Sequence, residues 1–287
     1  MKTGVITDCF RRPLKESLQK AADLGFTGVQ IHATTGEFNA SLLDRKDALA
    51  AYLTLIGDLG LSISALCGDM GGHGFEIRQD NEKRIEKTKR IIDLAAAAGA
   101  PVITTHIGVI PEDGGSPKYS ALLEALDTLG SYGQKQGISM AIETGPEKPG
   151  TLKKFISQTH GGVGVNFDPA NLVMVTGVDP AAAVEILGAY IIHTHVKDGI
   201  MKKQTDPGII YNYFAEGGIG DLRMSDYFIE TPVGEGAVDF DRYLGALKKT
   251  GYDGYFTIER EAGENPEQDI AGALRFISEK LNRAGYR

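Results

Sequence analysis

The chain of 287 residues is 42% hydrophobic and 24% charged, which supplies the apolar surface for a sizeable core. Its 30 Lys and Arg against 38 Asp and Glu give a formal net charge of −8, so it lacks the basic footprint of a nucleic-acid binder or of a protein docked on an anionic membrane. No apolar run approaches the roughly 20 residues that cross a bilayer; no signal-peptide core opens the sequence, and Cys9 and Cys67 make no disulfide framework, so the expected compartment is the reducing cytoplasm.

Along the chain, short runs rich in β-branched residues alternate with helix-period segments. A first strand is expected at 3–7 (TGVIT), followed by a helix at 13–24 that opens on Pro13 and stops at Gly25. A strand at 28–33 (GVQIHA) precedes a helix at 44–59. The third pair is a strand at 61–66 (LSISAL) and a helix at 81–98; the fourth is a strand at 102–106 (VITTH) and a helix at 119–136. SMAIE at 139–143 and VGVNFD at 163–168 give strands five and six, with helices at 152–159 and 180–187. IIHTHV at 191–196 and YFTIE at 255–259 give strands seven and eight, with helices at 240–249 and 266–281. Eight βα units in strict alternation predict an α/β fold, a (βα)8 TIM barrel, as a single domain over 1–287. The competing doubly wound open sheet would carry a glycine-rich phosphate loop after strand one, where this chain has DCFRRP.

One connection breaks the rhythm. Residues 199–237, after strand seven, form an insertion on the side where barrel active sites lie, and it is expected to act as a lid. Its aromatics Tyr211, Tyr213, Phe214, Tyr227 and Phe228 either contact substrate or pack the segment down, against the barrel or a second subunit. A homo-oligomer, dimer or tetramer, is expected on that ground.

Buried parallel strands should be nearly all apolar, yet strands five to eight end in Glu143, Asp168, His195 and Glu259. Neighbouring strands bring these tips to one rim, where three carboxylates and an imidazole would perturb one another strongly. A divalent cation bound by all four removes that conflict. The oxygen-rich donor set suits Mn²⁺ first, with Mg²⁺ or Co²⁺ as alternatives.

The segments SMAIETGPE (139–147), VNFDPANL (165–172), IHTHVKD (192–198), PVGEGAVDF (232–240) and GYDGYFTIERE (251–261) resemble the sugar phosphate isomerase/epimerase family of xylose-isomerase-like barrels. That resemblance implies metal ligands at Glu143, Asp168, His195 and Glu259, the four already marked by position. It also implies a carbohydrate substrate. Glu147 resembles a substrate-binding carboxylate of some relatives. Asn171 stands where ketose 3-epimerases often carry a histidine that touches substrate.

Period-2 alternation puts His193 and Lys197 on the face of His195, and His106 at the end of strand four. These three join Glu147 and Asn171 as candidate substrate contacts. Lys202, Lys203 and Arg223 in the insertion are candidates for a substrate phosphate. The expected reaction is isomerisation or epimerisation of a sugar, ketose or sugar phosphate through an enediolate, with Glu143 and Glu259 moving the proton. A lyase on the same barrel, of the inosose dehydratase or C-glycoside-cleaving type, is the alternative. The related DNA-repair nucleases carry further histidines after strand seven, and this chain has none after His195.

Overall fold

The computed structural model describes residues 1–286. Eight parallel strands close into a barrel: Thr3–Ile6, Gly28–His32, Ser62–Cys67, Val102–Thr105, Ser139–Glu143, Val163–Phe167, Ile191–Val196 and Phe256–Ile258. Closure is direct, with Thr3 opposite Phe256. Both faces of these strands are covered, which is why they read as runs of Val, Ile and Ala in the sequence. The main apolar core lies between strands and helices. A second small cluster of Ala65, Val102 and Ala141, with Ile192 packed on it, forms a floor inside the barrel. Among the described residues no single helix is long and apolar enough to cross a membrane.

The helices at Pro180–Leu187 and Phe240–Lys249 lie where the sequence puts them. Others begin earlier. The third long helix runs from Arg78 to Ala98, which places Asn81 in its first turn. Its Nδ2 donates to the carbonyls of Phe75 and Ala121 at 3.0 and 3.3 Å. The helix Pro117–Gln134 starts on Ser116, whose hydroxyl accepts from the Tyr119 N–H. The helix expected at 44–59 runs from Lys46 to Asp58, preceded by a 3-10 turn, Ala40–Asp44.

Strand six stops at Phe167 rather than at Asp168. The Asp168 side chain instead caps the short helix Pro169–Asn171, accepting from the N–H groups of Ala170 and Asn171 at 2.8 and 3.0 Å. The insertion after strand seven holds an antiparallel ribbon, Asp198–Met201 with Phe228–Thr231, and a helix, Pro207–Ala215. Asp198 roots it. Its two oxygens accept four backbone N–H bonds, from Gly199, Gly234, Gly236 and Val238, at 2.8 to 3.1 Å. A second clamp joins the ribbon to the end of strand eight: Arg260 bonds Glu230 at 2.7 Å and Asp269 at 2.8 Å.

Candidate metal centre and substrate cavity

Glu143 ends strand five, Asp168 follows strand six, His195 sits near the end of strand seven, and Glu259 follows strand eight. All four are buried, and one ligand atom from each lies within 4.8 Å of the others. His195 Nδ1 stands 2.9 Å from Glu259 Oε2, 3.7 Å from Glu143 Oε1 and 3.8 Å from Asp168 Oδ2. Even the shortest of these is too poorly aligned for a hydrogen bond. His195 Nδ1, Asp168 Oδ2 and Glu259 Oε2 are therefore buried with no hydrogen-bond partner. Three such atoms aimed at one point are costly unless something positive sits between them.

The charges make the same demand. Burial works against protonation of His195, but Glu259 and Glu143 outweigh it and hold its pKa well above the ordinary imidazole value. Burial pushes Glu259 up, while Lys197 and His195 bring it below the usual carboxylate range. Lys197 stays charged, 3.2 Å from Glu259 and 2.6 Å from Glu261. With a neutral imidazole, a divalent cation and Lys197 together balance the charges of the three carboxylate ligands. The residues present therefore fit a hard to borderline divalent metal.

Beneath the four residues runs a polar network that the strand-end reading missed. Gln30 of strand two and Asn166 of strand six are fully buried inside the barrel. His195 Nε2 lies 3.1 Å from Gln30 Oε1 and 3.2 Å from Asn166 Nδ2, and Gln30 Nε2 donates to Thr104 at 3.1 Å. Gln30 Oε1 is the acceptor that Nε2–H would use when Nδ1 turns its lone pair to a metal. Asn166 Nδ2 donates to Glu143 Oε2 at 3.0 Å, and Asn171 Nδ2 donates to Glu143 Oε1 at the same distance. Glu143 is thus aimed by two amides. The signal was present in the sequence, as a polar residue in the middle of each of two buried strands, GVQIH and VNF.

His193 lies deeper in the barrel with both nitrogens occupied: Nδ1 donates to Asn166 Oδ1 at 2.9 Å and Nε2 accepts from Thr257 at 3.1 Å. Burial holds it neutral, with a pKa well below the ordinary value. His193 therefore steadies Asn166, and through it Glu143.

Two cavities open on the metal centre and share Asp69, Gly71, His106, Glu143, Glu259 and Glu261. The smaller, about 240 Å³, lies under the insertion and is lined by Asn171, Lys197, Met174, Tyr211, Phe214 and Phe228. The larger, about 1180 Å³, opens toward the third long helix. His106 faces both. Its Nδ1 bonds Asp69 at 3.0 Å, and its Nε2 lies 3.7 Å from Glu143. Burial opposes its charge, but Glu143 and Asp69 push its pKa up to about 10. The ring keeps 36% of its side-chain surface toward the cavity, where solvent screens part of that effect.

Tyr211 from the insertion packs against the His106 ring, 5.7 Å between centroids. Its hydroxyl occupies the space above Gly145, where a Cβ would come within 1.7 Å of it. His73 bonds Glu216 of the same segment at 2.6 Å.

Glu147 is not among the residues lining these two cavities. It lines a separate cavity of about 570 Å³ behind the insertion, away from the metal ligands. Its Oε2 is buried without a partner, and burial pushes its pKa up to about 8. Lys202 and Lys203 are also placed elsewhere. Lys202 donates to the Ser225 carbonyl, Lys203 lies over the Tyr227 ring, and neither these nor Arg223 line the cavities at the metal centre.

A family model described as xylose isomerase-like TIM barrel matches residues 18–280. The L-ribulose-5-phosphate 3-epimerase UlaE of Escherichia coli O157:H7 (strain EC4115 / EHEC) is 23% identical over 286 residues, covering 94% of this chain and 90% of its own. Among solved structures, the xylose isomerase domain protein from Planctomyces limnophilus superposes with a TM-score of 0.78 at 25% identity, over 99% of this chain and 97% of that one. A D-tagatose 3-epimerase-like protein shares the fold with a TM-score of 0.75 at 20% identity, over 99% and 98% of the two chains.

Proposed function

Since the chain belongs to the xylose isomerase-like TIM barrel family, we propose that it is a divalent-metal-dependent sugar isomerase or epimerase acting on a ketose or its derivative, with Glu143 and Glu259 as the proton-handling pair. The observation that carries this reading is the set of three unpartnered buried atoms converging beside Glu143 at the base of a polyol-sized cavity. Glu143, Asp168, His195 and Glu259 would hold the ion, with Mn²⁺ favoured by three carboxylates and one imidazole. When bound, the cation supplies the positive charge that stabilises an enediolate formed from the substrate.

The chain's own groups do the rest. Asn166 and Asn171 fix Glu143 by its two oxygens, so its proton transfers are directed rather than free. Glu259 lies across the centre, with Lys197 favouring its ionised form. One carboxylate removes the proton beside the carbonyl and the other returns one. Return to the opposite face of the same carbon is epimerisation, and return to the neighbouring carbon is isomerisation. His106 and Lys197 reach the same cavity as donors to substrate oxygens. Tyr211 and the apolar side chains of the insertion exclude water from the exchanging proton.

The test is solvent deuterium entering the carbon beside the carbonyl when ketoses, their phosphates and oxidised sugars are incubated with Mn²⁺-loaded protein. NMR of the products separates epimer, isomer and the elimination product of a dehydratase. Glu259→Gln and His195→Ala should each lower bound metal from about one ion per chain to a small fraction. Full metal content in both variants, or metal-replete protein that exchanges no proton on any of these substrates, refutes the proposal.

A further inference from the structure

The larger cavity has more room than the chemistry at its base uses. It holds about 1180 Å³, beyond the roughly 300–1,000 Å³ of a typical small-molecule pocket, and runs from Glu143, His195 and Glu259 to the helix Arg78–Ala98. That helix lines it with Lys83, Arg84, Lys87 and Arg90. Lys83, Lys87 and Arg90 share one face at helical spacing and span about 10 Å along the axis.

These cations are not there for the helix. Lys83, Arg84 and Lys87 stand in its second and third turns, nearer the positive end of the dipole, where a cation gains nothing. Lys83 and Lys87, four apart, repel each other. In a chain of net charge −8, the stretch EKRIEKTKR at 82–90 is locally basic. Neighbouring acids account for only part of it. Arg90 is paired with Asp44 and Lys89 with Glu86, each at 2.7 Å. Lys83 and Lys87 have no ion-pair partner among the described residues. Asp69, Asp44 and Asp80 also line the cavity; Asp69 is committed to His106 and Asp44 to Arg90.

Arg84 is held in place. Its Nη1 donates to the Gly71 carbonyl at 3.1 Å, and its Nη2 lies against Gly72, 3.1 Å from where a Cβ would stand. Gly71 has φ +64° and lines both cavities, so the loop that fixes the guanidinium also borders the reacting end.

We propose that Lys83, Arg84 and Lys87 form a subsite for a phosphate ester on the substrate, at the end of the cavity away from the metal ligands. The inference rests on this cavity being the substrate site. A fixed guanidinium and two mobile ammonium groups match a dianionic oxyanion, which accepts charge-assisted hydrogen bonds on several oxygens.

The experiment is calorimetric titration of the Mn²⁺-loaded protein with D-ribulose and with D-ribulose 5-phosphate, for wild type and for Lys83→Gln/Lys87→Gln, at low and high salt. Wild type should bind the phosphate ester at least about tenfold more tightly than the free sugar. That factor should shrink by most of its size in the double variant and near 0.5 M salt. Lys87→Glu, at an exposed position, should reverse the preference. Equal affinity of wild type for the two sugars, or a preference that survives the double substitution, overturns the subsite. Binding is read without turnover, so the two proposals fail separately. Phosphate preference without proton exchange refutes only the epimerase reading. Proton exchange on free ketoses with no phosphate preference refutes only this one.

Discussion

Glu147 offers a clean measurement of what a misplaced charge costs this fold. Its side chain is 7% exposed, Oε2 has no partner, and burial raises its pKa from 4.5 to about 8. The sign follows from proton counting. Between those two values the unfolded chain releases the Glu147 proton while the folded chain keeps it, so stability falls as pH rises. Below about pH 4 both states hold the proton and the penalty is absent. At pH 7 the unfolded carboxyl has ionised across about 2.5 pH units of the gap, which corresponds to on the order of 3 kcal/mol. Glu147→Gln keeps the shape and removes the titration. The variant should gain stability over wild type by about 1.4 kcal/mol per pH unit from pH 5 upward, levelling near pH 8. Urea unfolding of both proteins in chelator at pH 4, 5, 6, 7 and 8 reads this directly, since other proton-linked effects cancel in the difference. A difference between the two proteins that stays flat from pH 5 to pH 8 would show that Glu147 is ionised in the native state, and the burial argument would fail.

Two further outcomes follow from the network and the insertion. Gln30→Leu removes the acceptor of the His195 Nε2–H inside the barrel; metal affinity should drop roughly 10–100-fold and stability by about 1–3 kcal/mol, read by metal titration and urea unfolding. Unchanged metal affinity would show that Gln30 does not orient the ligand. Hydrogen exchange across residues 200–231 should slow when a substrate analogue binds, and Tyr211→Ala should blunt that protection because the contacts with His106 and Gly145 are gone. Protection confined to the rest of the rim would make the segment a fixed wall.

The sequence carried the architecture because a parallel barrel buries both faces of every strand. Eight β-branched runs, spaced by helices with glycine stops, have few other ways to bury that surface, and four ionisable groups at consecutive strand ends can meet only on one rim. Glu143, Asp168, His195 and Glu259 were legible for that reason. Alternation along a strand also placed His193 and His195 on one face. It could not say that His193 lies deep enough to spend both nitrogens on Asn166 and Thr257. Nor could one-dimensional order show that Gln30, 165 residues from His195, supplies an acceptor for its Nε2–H. Glu147 resembles a substrate-binding carboxylate of some relatives, yet the chain leaves strand five after Glu143 and carries it into a different cavity. The basic face at 83–90 belongs to an outer helix, and only closure of the barrel sets that helix beside the mouth of the site. Periodicity fixes which way a side chain points from its own element; which groups then share a cavity depends on contacts between elements distant in sequence, and those exist only once the chain is folded.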